Sequence, residues 1–124
     1  RADPISNLSK LTSACPDAVV TFDTKMSEFH NQTRALYRSE NDWLFSRIRH
    51  MHVNDYNGGY MDWENLKTLH IGGGEGDFYR LFEFLKSKNY KYDFTVEATS
   101  FDQSGALNFD ALNNTFEKIR KYMA

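Results

Sequence analysis

Short β-branched runs alternate with amphipathic segments along this chain, which predicts an α/β fold of successive parallel βα units. Three stretches carry that reading. Ala18-Val19-Val20-Thr21-Phe22 is a compact, β-branched run of the kind buried in a parallel sheet. Behind a capping Asp77, Phe78, Leu81, Phe82, Phe84 and Leu85 recur at helical spacing. Tyr92-Asp93-Phe94-Thr95-Val96 then returns to strand character.

The elements follow in order. Ile5, Leu8 and Leu11 share one helical face over residues 5–13, with Pro4 in the first turn and Pro16-Asp17 as the breaker. The strand 18–22 ends at Asp23. Residues 33–49 carry helical spacing through Ala35, Leu36, Trp43 and Leu44, interrupted at Arg38-Ser39-Glu40-Asn41-Asp42. Ile48–Val53 reads as a second strand and closes in the loop 54–59. A polar linker leads to Thr68-Leu69-His70-Ile71, a short third strand, and then to the flexible turn Gly72–Gly76. Asn89-Tyr90 ends the next helix, and residues 88–92 are expected to form an exposed turn before the fourth strand. Phe109, Leu112, Phe116, Ile119 and Tyr122 or Met123 mark a final helix. Strands joined through helices are parallel, because a tight hairpin cannot link parallel neighbours. An open sheet and a barrel both satisfy this pattern, and four strands are too few to close a barrel.

A chain of 124 residues with 40% hydrophobic side chains can bury a real core as one domain. A net charge of −2 argues against nucleic acid and membrane surfaces as general partners. No apolar run approaches the roughly 20 residues of a membrane span. The single cysteine, Cys15, cannot form an internal disulfide, which points to a reducing, cytoplasmic setting with Cys15 partly buried in a loop. The opening Arg-Ala-Asp-Pro has no signal-peptide character and no initiator Met, so a segment of a longer product is expected.

The chemistry-bearing residues share one kind of position. Asp23, His52, His70 and Glu97 each stand at, or just after, the carboxyl end of a predicted strand. That edge is where parallel α/β folds bind ligands. Carboxylates and imidazoles without a thiolate suit a divalent Mn, Zn, Co or Mg ion rather than a structural zinc knot. His50 and His52, two apart on a strand, face the same side. Each residue also has a plainer role: Asp23 can cap the segment after it, and one histidine on a face can be a satisfied core residue. Glu97 would end a buried strand, where an unpaired carboxylate is unfavourable and a metal or cationic partner is favoured. The turn Gly72–Gly76 before a helix can hold an anion, although it matches neither Gly-x-x-x-x-Gly-Lys-Ser/Thr nor Gly-x-Gly-x-x-Gly.

Taken together, Val-Thr-Phe-Asp-Thr, Met-His-Val-Asn-Asp, His-Ile-Gly-Gly-Gly-Glu-Gly-Asp and Phe-Thr-Val-Glu-Ala-Thr stand in an order that resembles one known group. It resembles the carboxyl-terminal half of the xylose-isomerase-like TIM-barrel superfamily. That group includes sugar-phosphate isomerases and epimerases and the family 2 apurinic endonucleases of the endonuclease IV class. The resemblance covers nearly the whole chain and implies strands five to eight of a (β/α)₈ barrel, a half-barrel. It implies Asp23, His52 and Glu97 as metal ligands, with Glu97 also the catalytic acid/base of a proton transfer next to a carbonyl. His70 would serve an additional metal, His50 and Asp55 would be further candidates for a second metal or the substrate, and a sugar would be the small-molecule partner. Two departures stand out: Met26 occupies the place of a family histidine, and Thr68 that of an aspartate. The family site also takes a glutamate from strand four, so the resemblance implies a missing amino-terminal half-barrel or a second copy as partner. A barrel that has lost its activity, and an endonuclease IV-like phosphodiester hydrolase, are the alternative readings.

Overall fold

A computed structural model describes residues 3–98, 101 and 103–124. Arg1 and Ala2 of the opening, and Thr99 of the Val-Glu-Ala-Thr run, lie outside the described residues. Helix α1 spans Pro4–Ala14, and the Asp3 carboxylate caps it by accepting from the Ser6 N–H at 3.1 Å. Strand β1 (Val20–Asp23) runs directly into α2 (Thr24–Phe29). The interrupted segment that follows forms α3 (Thr33–Leu36), a 3₁₀ turn (Ser39–Asn41) and α4 (Asp42–Phe45), so the break expected at 38–42 is present. Next come β2 (Ile48–Val53), β3 (Asp55–Asn57), β4 (Lys67–Leu69), α5 (Phe78–Ser87), β5 (Asp93–Val96) and α6 (Phe109–Met123).

The main sheet has three parallel strands in the order β1-β2-β5. Its register gives it two faces. Phe22, Met51 and Phe94 are aligned across the strands on the apolar side, and Asp23, His52 and Thr95 are aligned on the other. On the apolar side, α5 contributes Phe78, Leu81, Phe82 and Leu85, all buried. Phe82 meets Phe94 at 5.6 Å and stacks on Tyr122 of α6 at 5.3 Å between ring centroids. A fully buried side chain of that size stabilises the fold by roughly 2–3 kcal/mol.

The expectation of four parallel βα units, and with it a half-barrel holding strands five to eight of a TIM barrel, is overturned. The predicted third strand does not enter the parallel sheet. In place of the expected Thr68–Ile71, the strand is Lys67–Leu69, which pairs antiparallel with Asp55–Asn57 in a separate two-stranded sheet. The cause is the connection: residues 58–66 contain no helix and are too short for a parallel crossover, so the chain can only double back.

Three smaller expectations change as well. Cys15 is exposed rather than partly buried. Tyr90, read as part of an exposed turn, is a buried core residue whose hydroxyl donates to the Asp93 carbonyl at 3.0 Å. In α6, Phe109 and Phe116 stay exposed, while Ile119, Tyr122 and Met123 pack on the core, because the carboxyl half of the helix is the part that meets α5. No helix among the described residues is long and apolar enough to cross a membrane.

Burial pushes the phenols of Tyr37 and Tyr90 up to about 12, with the Arg80 guanidinium over the Tyr37 ring pulling the other way. A group whose pKa is raised on folding supports the fold below its unfolded value and loses that support as pH climbs to the folded one. Stability is therefore expected to fall as pH rises from near 10.0 to about 12. Burial raises the Tyr56 phenol as well, so tyrosinate absorbance should show Tyr37, Tyr56 and Tyr90 ionising later than the other phenols, and Y37F and Y90F should each remove one late component. A single titration with all tyrosines ionising together would contradict this.

Candidate metal centre

The carboxyl edge of the parallel sheet brings three of the expected ligands together. Asp23 and His52 are direct register partners on β1 and β2. Thr95 is the partner of His52 on β5, and Glu97, two residues further, lies on the same side by the period of two. His52 Nδ1 stands 2.9 Å from Glu97 Oε1 and 3.7 Å from Asp23 Oδ2. One ligand atom from each of the three residues lies within 4.8 Å of the others. Bond lengths of roughly 2.0–2.2 Å place the ligands of a bound ion about 3–4 Å apart, so the set fits a divalent cation with small side-chain shifts. Two carboxylates with one imidazole suit Mn, Zn, Co or Mg. Three protein ligands would leave positions on a bound ion for an exogenous one.

Asp23 takes the capping role foreseen for it and also faces the cluster. Its Oδ1 accepts from the Met26 N–H at 2.9 Å and caps α2, while its Oδ2 faces His52. Glu97 departs from the expectation of burial: its side chain is 38% exposed. It is held by His52 and Asn54 rather than by an apolar pocket, and is not the unpaired buried carboxylate expected at that strand end. Met26 lines, with Asp23, Ile5, Leu8, Phe22 and His30, a cleft of about 160 Å³ beside β1.

The remaining expected residues lie apart from this cluster. His50 shares the face of His52, ring centroids 5.3 Å apart, and its Nε2 bonds Thr95 Oγ1 at 2.8 Å. His70 sits at the end of β4, and its Nδ1 bonds the buried Thr115 of α6 at 2.8 Å. Asp55 is only 1% exposed, and its carboxylate accepts four backbone N–H groups. These come from Tyr56 at 2.8 Å, Gly72 at 2.9 Å, Gly74 at 3.0 Å and Gly76 at 2.9 Å. The glycine-rich turn does gather an anion, and that anion is the protein's own Asp55. Glycine is required at 74, where a Cβ would sit 2.7 Å from Asp55 Oδ1 and closer still to the Tyr56 carbonyl.

Sequence reasoning missed Thr24 and Asn54, both buried under the cluster. Asn54 Nδ2 donates to Glu97 Oε2 at 3.3 Å, and Asn54 Oδ1 accepts from the Glu97 N–H at 2.9 Å. The Asn54 N–H donates to Thr24 Oγ1 at 2.8 Å, and the Thr24 hydroxyl donates back to the Asn54 carbonyl at 2.6 Å. The available signal was adjacency: each follows a strand end that already carries a candidate ligand. No family model matches the chain, and a search of curated proteins finds no match either.

Proposed function

We propose that this chain supplies the metal site of an enzyme that moves a proton next to a carbonyl on a small sugar or sugar phosphate. The observation that carries this reading is the convergence of Asp23, His52 and Glu97 from three strands on one sheet edge. The order of these ligands along the chain, and its likeness to the xylose-isomerase-like superfamily, support the substrate class. A divalent ion held there would polarise the substrate carbonyl and hydroxyl. Asp23 and His52 would hold the ion, and Glu97, exposed at the edge, would take and return the proton. The second base of a two-base transfer would come from another part of a longer chain or from a second copy. An exposed free thiol at Cys15 agrees with a reducing, cytoplasmic setting. Phosphodiester cleavage by a multi-metal centre draws less support, since His70 is bonded to Thr115 and stands outside the cluster.

The test is solvent exchange. The protein loaded with Mn²⁺, in deuterated water with aldoses, ketoses and their phosphates, is expected to exchange the proton beside the carbonyl. A chelator should abolish the exchange. Absence of metal-dependent exchange with triose to hexose substrates would sink this reading.

A further inference from the structure

We infer that Asn54, braced by Thr24, is a positioning residue that fixes the Glu97 carboxylate toward the metal ligands. This inference rests on the metal reading above for its functional meaning.

The geometry is a chain of hydrogen bonds that joins the three strand ends through Thr24, Asn54 and Glu97. Asn54 grips Glu97 twice, through the carboxylate oxygen Oε2 and through the backbone N–H. The first contact orients the side chain, and the second fixes where the chain leaves β5. With Oε2 engaged, Oε1 is the oxygen turned to His52 Nδ1 at 2.9 Å. The amide does both through two separate atoms, its oxygen accepting from the N–H of Glu97 and its nitrogen donating to the carboxylate. That pairing also assigns the amide its orientation, oxygen toward the backbone and nitrogen toward the carboxylate. Thr24 in turn exchanges two bonds with the Asn54 backbone, so the residue after Asp23 holds the residue that holds Glu97. Asn54 is 1% exposed and Thr24 is 4% exposed, so water does not substitute for these partners. An exposed glutamate alone would sample several rotamers; here one is selected before any ion arrives.

The experiment pairs calorimetric Mn²⁺ titrations with crystal structures of the metal-free protein. N54A is expected to weaken Mn²⁺ binding by about 10–100-fold, the usual effect of removing such a supporting partner. T24V should weaken it less, and T24S, which keeps the hydroxyl, should restore it. The T24V and T24S pair also decides the matter if N54A does not fold. In the crystal, Glu97 should leave His52 when Asn54 is gone. A merely structural role would lower thermal stability while leaving both affinity and the Glu97–His52 contact unchanged, and that result overturns the inference. If the wild type binds no Mn²⁺ yet Glu97 still swings away in N54A, the metal reading falls and the positioning role stands.

Discussion

Replacing His52 with alanine is expected to weaken Mn²⁺ binding by on the order of 100-fold or more while leaving the fold intact. Loss of a supporting partner alone weakens metal sites by about 10–100-fold, and a direct ligand contributes more. His52 is the central member of the cluster, on the middle strand, and its sole nitrogen donor. Without it, Asp23 and Glu97 face one another as like charges with no imidazole between them. The fold should tolerate the change because the His52 side chain is 32% exposed and lies on the polar side of the sheet. Substitution at such a partly exposed position costs about 1 kcal/mol, too little to unfold the domain. Binding by the wild type should also weaken in acid, since the ligands must be deprotonated. Calorimetry on both proteins checks the first point, and equal affinity in H52A would remove this residue from the site.

Asp55→Ala, by contrast, should strike stability and spare the metal. It strands the N–H groups of Tyr56, Gly72, Gly74 and Gly76 around an empty space in a buried region. Hydrogen bonds to a charged acceptor contribute about 1.5–3 kcal/mol each, though not additively, and donors left unsatisfied bring their own penalty. A loss of about 3–5 kcal/mol is expected, a large share of the stability of a domain this size. Asp55→Asn keeps one accepting oxygen and should fall in between. Denaturant unfolding measures the loss, and Mn²⁺ affinity of the folded D55N protein should stay at the wild-type level. A loss under about 1 kcal/mol would show that other groups satisfy the loop.

The strands of the main sheet were legible because the β-branched run 18–22, and Ile48, Met51 and Val53 set among polar residues in 48–53, suit a sheet buried on one side. Helix α5 was equally plain from its apolar spacing and Asp77 cap, whose Oδ1 accepts from the Arg80 N–H at 3.1 Å. What was not legible is partnership. Nothing in Lys67-Thr68-Leu69 says which strand it pairs with, and the length of its connection decided the matter against the barrel. The cluster Asp23, His52 and Glu97 could be placed because strand ends converge on one edge. Its supports could not. Asn54 and Thr24 act through bonds spanning some thirty to forty positions in sequence, which local pattern does not encode. Asp55 was read as a candidate for a second metal or the substrate, whereas its carboxylate organises the glycine loop of the next motif.

That loop has a practical side. A stretch reading Gly-Gly-Gly-Glu-Gly would ordinarily be a favoured point for proteolytic nicking, circular permutation or insertion of a tag. Here every second backbone N–H from 72 to 76 is committed to one carboxylate. An insertion of a single residue puts the wrong N–H groups toward Asp55 and undoes the arrangement. An engineer seeking a permissive site in this protein should pass over residues 72–76 and look instead to the segment 58–66 between β3 and β4, where Trp63 is 62% exposed.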